Sequence, residues 1–134
     1  MAGFIPKNYN DGEVDPWVHL PAAKATYKIG QGLYINSSNG QLTGANATNK
    51  PTHICMSNIT TETAGDPIPA ILVHRSTEFE VALSSSSTLK AGSLVDLSSD
   101  GMGIDAAATN STGAARITSV YTVGNQKYAT VQFI

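Results

Sequence analysis

Thr88-Leu89-Lys90-Ala91-Gly92-Ser93-Leu94-Val95-Asp96-Leu97-Ser98-Ser99-Asp100-Gly101 decides the fold. A glycine turn, a short apolar run and a Ser-Asp-Gly turn, in that order, spell a strand with its two punctuation marks. The same order stands 62 residues earlier, as Thr26-Tyr27-Lys28-Ile29-Gly30, Leu33-Tyr34-Ile35 and Ser37-Ser38-Asn39-Gly40. That shift sets Thr26 on Thr88, Lys28 on Lys90, Gly30 on Gly92 and Ser37 on Ser99. It also sets Ser57 on Ser119 and Ile71-Leu72 on Phe133-Ile134. Two copies are too few for a solenoid. The expectation is one all-β body, a small β-barrel or sandwich with pseudo-duplicated halves.

Strand and turn signals fill the rest of residues 24–134, which form the predicted β domain. Asn39-Gly40 and Ser99-Asp100-Gly101 are hairpin-grade turns. Residues 41–47, 52–59 and 70–73 read as strands, with Pro67 and Pro69 bracketing an edge position. Glu78-Phe79-Glu80-Val81-Ala82-Leu83 alternates strictly, Phe79 and Val81 on one face, Glu78 and Glu80 on the other. Ser84 to Ser87 is a loop joining the two copies, and Ala106-Ala107-Ala108 is too short for a stable helix. Ala115 to Val123 and Lys127 to Ile134 close a hairpin across Gly124-Asn125. In total about eight to ten short strands are expected, with no helix longer than one turn.

Residues 1–23 differ in character. Three of the six prolines, Pro6, Pro16 and Pro21, fall here. No strand or helix period runs through the segment, and prolines at this spacing oppose both a helix and a central strand. The reading is an extended N-terminal arm. Phe4, Ile5, Tyr9, Trp17, Val18 and Leu20 are too apolar for a free tail. They are therefore the candidate residues for docking on a partner, the alternative being that the arm packs on its own barrel or a neighbouring subunit.

Composition narrows the function. Only 13% of residues are charged, and the net charge is −2. The eight basic residues are scattered singly, so a nucleic-acid or anionic-membrane partner is not expected. No apolar run reaches the length of a secretory signal or a membrane span, which places synthesis in a cytoplasm. The sequons at Asn36, Asn46, Asn58 and Asn110 then carry little meaning. A surface this poor in charge favours self-association, a homotrimer first.

Chemistry is sparse. Cys55, the single cysteine, reads as a buried small hydrophobe. His19, His53 and His74 show no metal-ligand spacing. Asp11, Glu13 and Asp15 imitate the start of a calcium loop, but Pro16 and Ala22 stand where that loop needs Gly and Glu. Glu78 and Glu80 form a carboxylate pair whose simpler reading is a solvated strand face. No nucleophile elbow, P-loop or dinucleotide fingerprint occurs. No catalytic residue, metal or cofactor is expected, and the protein is read as a non-enzyme.

Ser87 to Gly101, and Lys50-Pro51-Thr52-His53-Ile54-Cys55-Met56 followed by a Thr-rich loop and Ile68-Pro69-Ala70, resemble the decoration or cement proteins of tailed-phage heads. The resemblance covers most of residues 24–134; residues 1–23 match in character alone. It implies a structural virion protein on the capsid exterior, oligomeric, with the major capsid protein as partner, made in the host cytoplasm. The reading from a different class is a carbohydrate- or receptor-binding β module. Its expected mark is two or three of Tyr27, Tyr34, Tyr121 and Tyr128 gathered on one exposed surface.

Overall fold

The computed structural model describes residues 3–10, 16–107 and 113–134, the side chains of 105–107 excepted. Thirteen strands form without a helix among them: β1 (Ile5–Tyr9), β2 (Trp17–Pro21), β3 (Thr26–Tyr27), β4 (Gly32–Asn36), β5 (Gln41–Gly44), β6 (His53–Cys55) and β7 (Ile59–Thr60). The second half adds β8 (Pro67–Leu72), β9 (Thr77–Leu83), β10 (Leu94–Leu97), β11 (Ile104–Ala107), β12 (Ala115–Val123) and β13 (Gln126–Phe133). They make a five-stranded sheet, β2-β8-β6-β4-β5, and a six-stranded sheet, β1-β9-β13-β12-β10-β11, with β3 and β7 as a small third. Every ladder is antiparallel. The sheets stay open at their edges, so the molecule is sandwich-like and not a closed barrel.

The 62-residue repeat is legible bond by bond. β4 pairs with β6 through Gly32↔Ile54 and Leu33↔His53. β10 pairs with β12 through Leu94↔Arg116 and Val95↔Ala115, the same register shifted by 62. The Gly30 N–H donates to the Cys55 carbonyl at 2.8 Å, and the Gly92 N–H to the Ile117 carbonyl at 2.8 Å. Both glycines sit at positive φ, 87° and 92°. The Thr52 N–H donates to Leu33, and the Ala114 N–H to Val95. The duplication slips by one residue in the next strand: Ile71 stands across from Ile54, but Gln132 stands across from Arg116, so Ile71-Leu72 fall on Gln132-Phe133 and not on Phe133-Ile134.

The duplicates stack front to back. In the first half Leu33, Cys55 and Ala70 face a small outer cluster closed by Tyr27, while Ile54 and Ile71 face the main core. In the second half the residues matching Leu33 and Cys55, Val95 and Ile117, point into that same main core. Ile54 is matched by Arg116, which is exposed. One substitution class, apolar to polar on the repeated outward face, ends the stack, as terminal units of repeated structures require.

The described residues of 1–23 correct one expectation. They are not a separate arm: β1 is the edge of the six-stranded sheet and β2 the edge of the five-stranded one. The prolines that argued against a central strand are compatible with an edge strand, where a missing N–H is tolerated. Pro6 lies in β1 next to a register shift, and Pro21 ends β2 opposite Pro67.

β6 carries the one buried histidine. His53 is 6% exposed, and its Nδ1 lies 2.9 Å from the Thr52 hydroxyl. Burial pushes its imidazole below the ordinary value. The unfolded chain takes up a proton near pH 6.5 that the folded chain still refuses. Stability is thus expected to fall as pH drops below about 6.5, by up to about 1.4 kcal/mol per pH unit until the lowered folded value is passed. Urea midpoints at neutral pH and just above the carboxylate range check this. His53→Leu, beside Leu33 and Leu72, should remove the slope, whereas the exposed His19 and His74 remain in both proteins.

Candidate functional site

The N-terminal strands build an apolar seam along one open side of the sandwich. Phe4 leads into it. Its ring is 1% exposed and meets Phe133 edge-on at 5.1 Å between centroids. Phe133 in turn meets Phe79 at 5.4 Å. The Phe4 N–H donates to the Gly30 carbonyl at 2.8 Å, which welds the segment to the first repeat's glycine turn. Strand alternation then turns Ile5 outward. Ile5 and Pro6, with Ile29 and Met56 opposite, wall a groove of about 210 Å³ over Phe4 and Gly30.

Trp17 lies on the edge of the five-stranded sheet. It stands across from Ile71, which stands across from Ile54, and such opposed residues share a face. Met56, one residue past β6, packs on the core of that face. Ile71 and Ile54 are covered by the second sheet, but Trp17, on the edge strand, is 56% exposed.

The six predicted docking residues therefore divide. Phe4 lies in the core and Tyr9 packs against it, half-buried. Val18 and Leu20 face Ala70 and Ile68, and Leu20 packs on the outer cluster. Only Ile5 and Trp17 are left for a partner. Ile29 and Met56, which complete the groove, were not foreseen. The sole sequence trace of their role is Gly30 beside Ile29, a residue free to bring two backbones together.

A second surface lies on the outer face of the six-stranded sheet. Glu80 accepts from Lys7 Nζ at 3.0 Å and from the Tyr121 hydroxyl, and Lys7 Nζ also contacts that hydroxyl. The ammonium lies 4.1 Å from the Tyr121 ring centroid. Tyr121 stacks on Tyr128, its cross-strand neighbour, with centroids 5.9 Å apart and planes at 28°. Glu78, beside Glu80 on this face, accepts from Asn8 and Asn10. Of the four tyrosines named from the sequence, two meet on one surface; Tyr27 is buried and Tyr34 packs on the core.

The remaining candidates serve the fold. Cys55 is buried, and that burial pushes its thiol up, away from the thiolate that nucleophilic chemistry needs. Among the described residues no three metal-ligating side chains converge; Asp11, Glu13 and Asp15 lie outside those residues. No described helix is long and apolar enough to cross a membrane.

The fold and these surfaces define an all-β sandwich built from one duplicated sheet unit, with exposed Ile5 and Trp17 on the edge strands β1 and β2. No family model and no curated protein matches the chain.

Proposed function

We propose that this chain is a structural, non-enzymatic protein of a tailed phage that binds the assembled capsid from outside and stabilises it. The observation that carries the reading is the seam: a groove walled by Ile5, Ile29 and Met56, with Trp17 on the neighbouring sheet edge. Large apolar groups on a rigid frame are the usual anchors of protein interfaces. Because the strands are ordered before contact, little conformational entropy is lost on docking. Each anchor newly buried is worth about 1.5–3 kcal/mol. The major capsid protein is the partner, and the capsid exterior the place of action.

Oligomerisation multiplies such a contact, since linked sites bind in concert. A homotrimer suits three-fold positions of a shell. Leu72 and Ile134 rim a further groove floored by Phe133, and they offer apolar surface for the contact between copies.

Co-sedimentation with purified heads at near-physiological salt tests the reading. The wild-type chain should pellet with heads. Trp17→Ala should weaken binding about tenfold or more, the equivalent of about 1.4 kcal/mol, with little change in melting temperature. Failure of the wild-type chain to pellet removes the reading. Undiminished binding of Trp17→Ala moves the contact away from the seam.

A further inference from the structure

We propose that the outer face of the six-stranded sheet is a second binding site, one that takes a neutral pyranose sugar stacked on Tyr128. Neither Tyr121 nor Tyr128 lines the groove, although Ile5 of the groove stands across from Glu80 at the border of this face.

The face has the chemistry a sugar requires. A pyranose presents a flat patch of C–H groups, which packs on an aromatic ring, and a rim of hydroxyls, which need donors and acceptors. Tyr121 and Tyr128 stand side by side on adjacent strands and are half-buried, so their rings are fixed while part of each stays open. Tyr121 is already held by Lys7 and Glu80. Tyr128 differs. Its cross-strand neighbour on the other side is Ala82, whose methyl is too small to cover a ring. The sheet therefore leaves a strip over Ala82, bordered by Tyr128.

The next row of the same face supplies polar groups. Glu80 is followed across the ladder by Thr130 and Ser119, whose hydroxyls lie 2.5 Å apart. Thr118 joins them, 2.7 Å from Thr130. Thr130 is itself buried and holds the other two hydroxyls in place, so the carboxylate, the ammonium and the Ser119 and Thr118 hydroxyls stand one row from the ring pair, where the hydroxyl rim of a stacked sugar would lie.

Charge separates this ligand from the other class that stacks on tyrosine. A nucleobase also packs on aromatic rings, but its strand needs a basic groove along the phosphates. Here Glu78 and Glu80 occupy the face, and Lys7 is already paired with Glu80. An uncharged sugar meets no such opposition.

The test follows the tyrosine ring signals by NMR while methyl β-glucopyranoside, chitotetraose or a short thymidine oligonucleotide is added to the full chain. At least one sugar should shift the Tyr121 and Tyr128 signals saturably, with a dissociation constant of about 1–10 mM, a weak single-site contact. Ala82→Leu fills the strip with a side chain that packs on Tyr128. It should fold as well as the wild type and bind the sugar at least about tenfold more weakly. Tyr128→Phe keeps the ring and should keep binding within a few-fold. The proposal is overturned if neither sugar gives a saturable shift, if Ala82→Leu binds undiminished, or if the oligonucleotide alone shifts the rings. Co-sedimentation with heads reads the seam separately, so the failure of either site leaves the other standing.

Discussion

Phe4→Ala is expected to lower the stability of the folded chain by about 3–5 kcal/mol, the usual cost of truncating a fully buried phenylalanine. For a chain of this length that corresponds to a fall of about 10–20 °C in melting temperature. The expectation rests on where the ring goes. It is 1% exposed and stacks edge-on against Phe133 within the main core. Phe79 continues the row, so one truncation loosens the two rings that remain. Trp17→Ala, at the start of the other N-terminal strand, should change stability by no more than about 0.5 kcal/mol, because the indole is mostly in water. Thermal unfolding of the two variants side by side checks the pair. Equal, small losses would mean that the first strand does not hold the sandwich together, and would restore the free arm that the sequence suggested. The same logic makes deletion of residues 2–20 an unfolding mutation, since it strips one edge strand from each large sheet.

The fold was legible because its signals are local. The strict alternation of Glu78 to Leu83 emerges as strict alternation of burial. The glycine turns at Gly30 and Gly92 adopt nearly equal positive φ, and the 62-residue echo of side chains proved to be an echo of hydrogen bonds. What the sequence hid is non-local. β1 and β2 lack periodicity of their own because an edge strand with prolines is defined by its neighbours, β9 and β8. The six apolar residues of the first segment looked alike as letters. Only the sandwich decides that Phe4 is buried while Ile5 and Trp17 stay exposed. The groove's far wall, Ile29 and Met56, comes from segments more than 20 residues away in sequence. The front-to-back stacking was present in principle as Ile54 matched by Arg116. A single charged residue at a matched position carries no directional meaning until both sheets are seen.

Gly30→Ala should cost far more stability than Gly92→Ala, although the duplication makes the two positions equivalent. Both glycines hold positive φ, 87° and 92°, and their amides make matching hydrogen bonds. Forcing alanine into such a backbone costs about 1–3 kcal/mol, and this term is common to both. Their surroundings differ. A methyl at Gly92 meets nothing within 4 Å. A methyl at Gly30 lies 2.9 Å from Gly3 Cα and 3.0 Å from the Phe4 nitrogen, which are backbone atoms with no rotamer to escape into. The first strand must then move away, breaking the bond from the Phe4 N–H to the Gly30 carbonyl and drawing the ring from its place beside Phe133. Forfeiting part of that burial adds about 2 kcal/mol or more to the shared strain. The duplicated glycine thus serves as an internal control that isolates the docking of the N-terminal strand. Urea unfolding of the two variants measures the difference directly, and equal losses would refute the close approach of Gly3 to Gly30. Binding to heads supplies the functional half of the experiment. Phe4 and Gly30 floor the groove of the seam, so Gly30→Ala should lose binding at temperatures where it remains folded, whereas Gly92→Ala should bind as the wild type does.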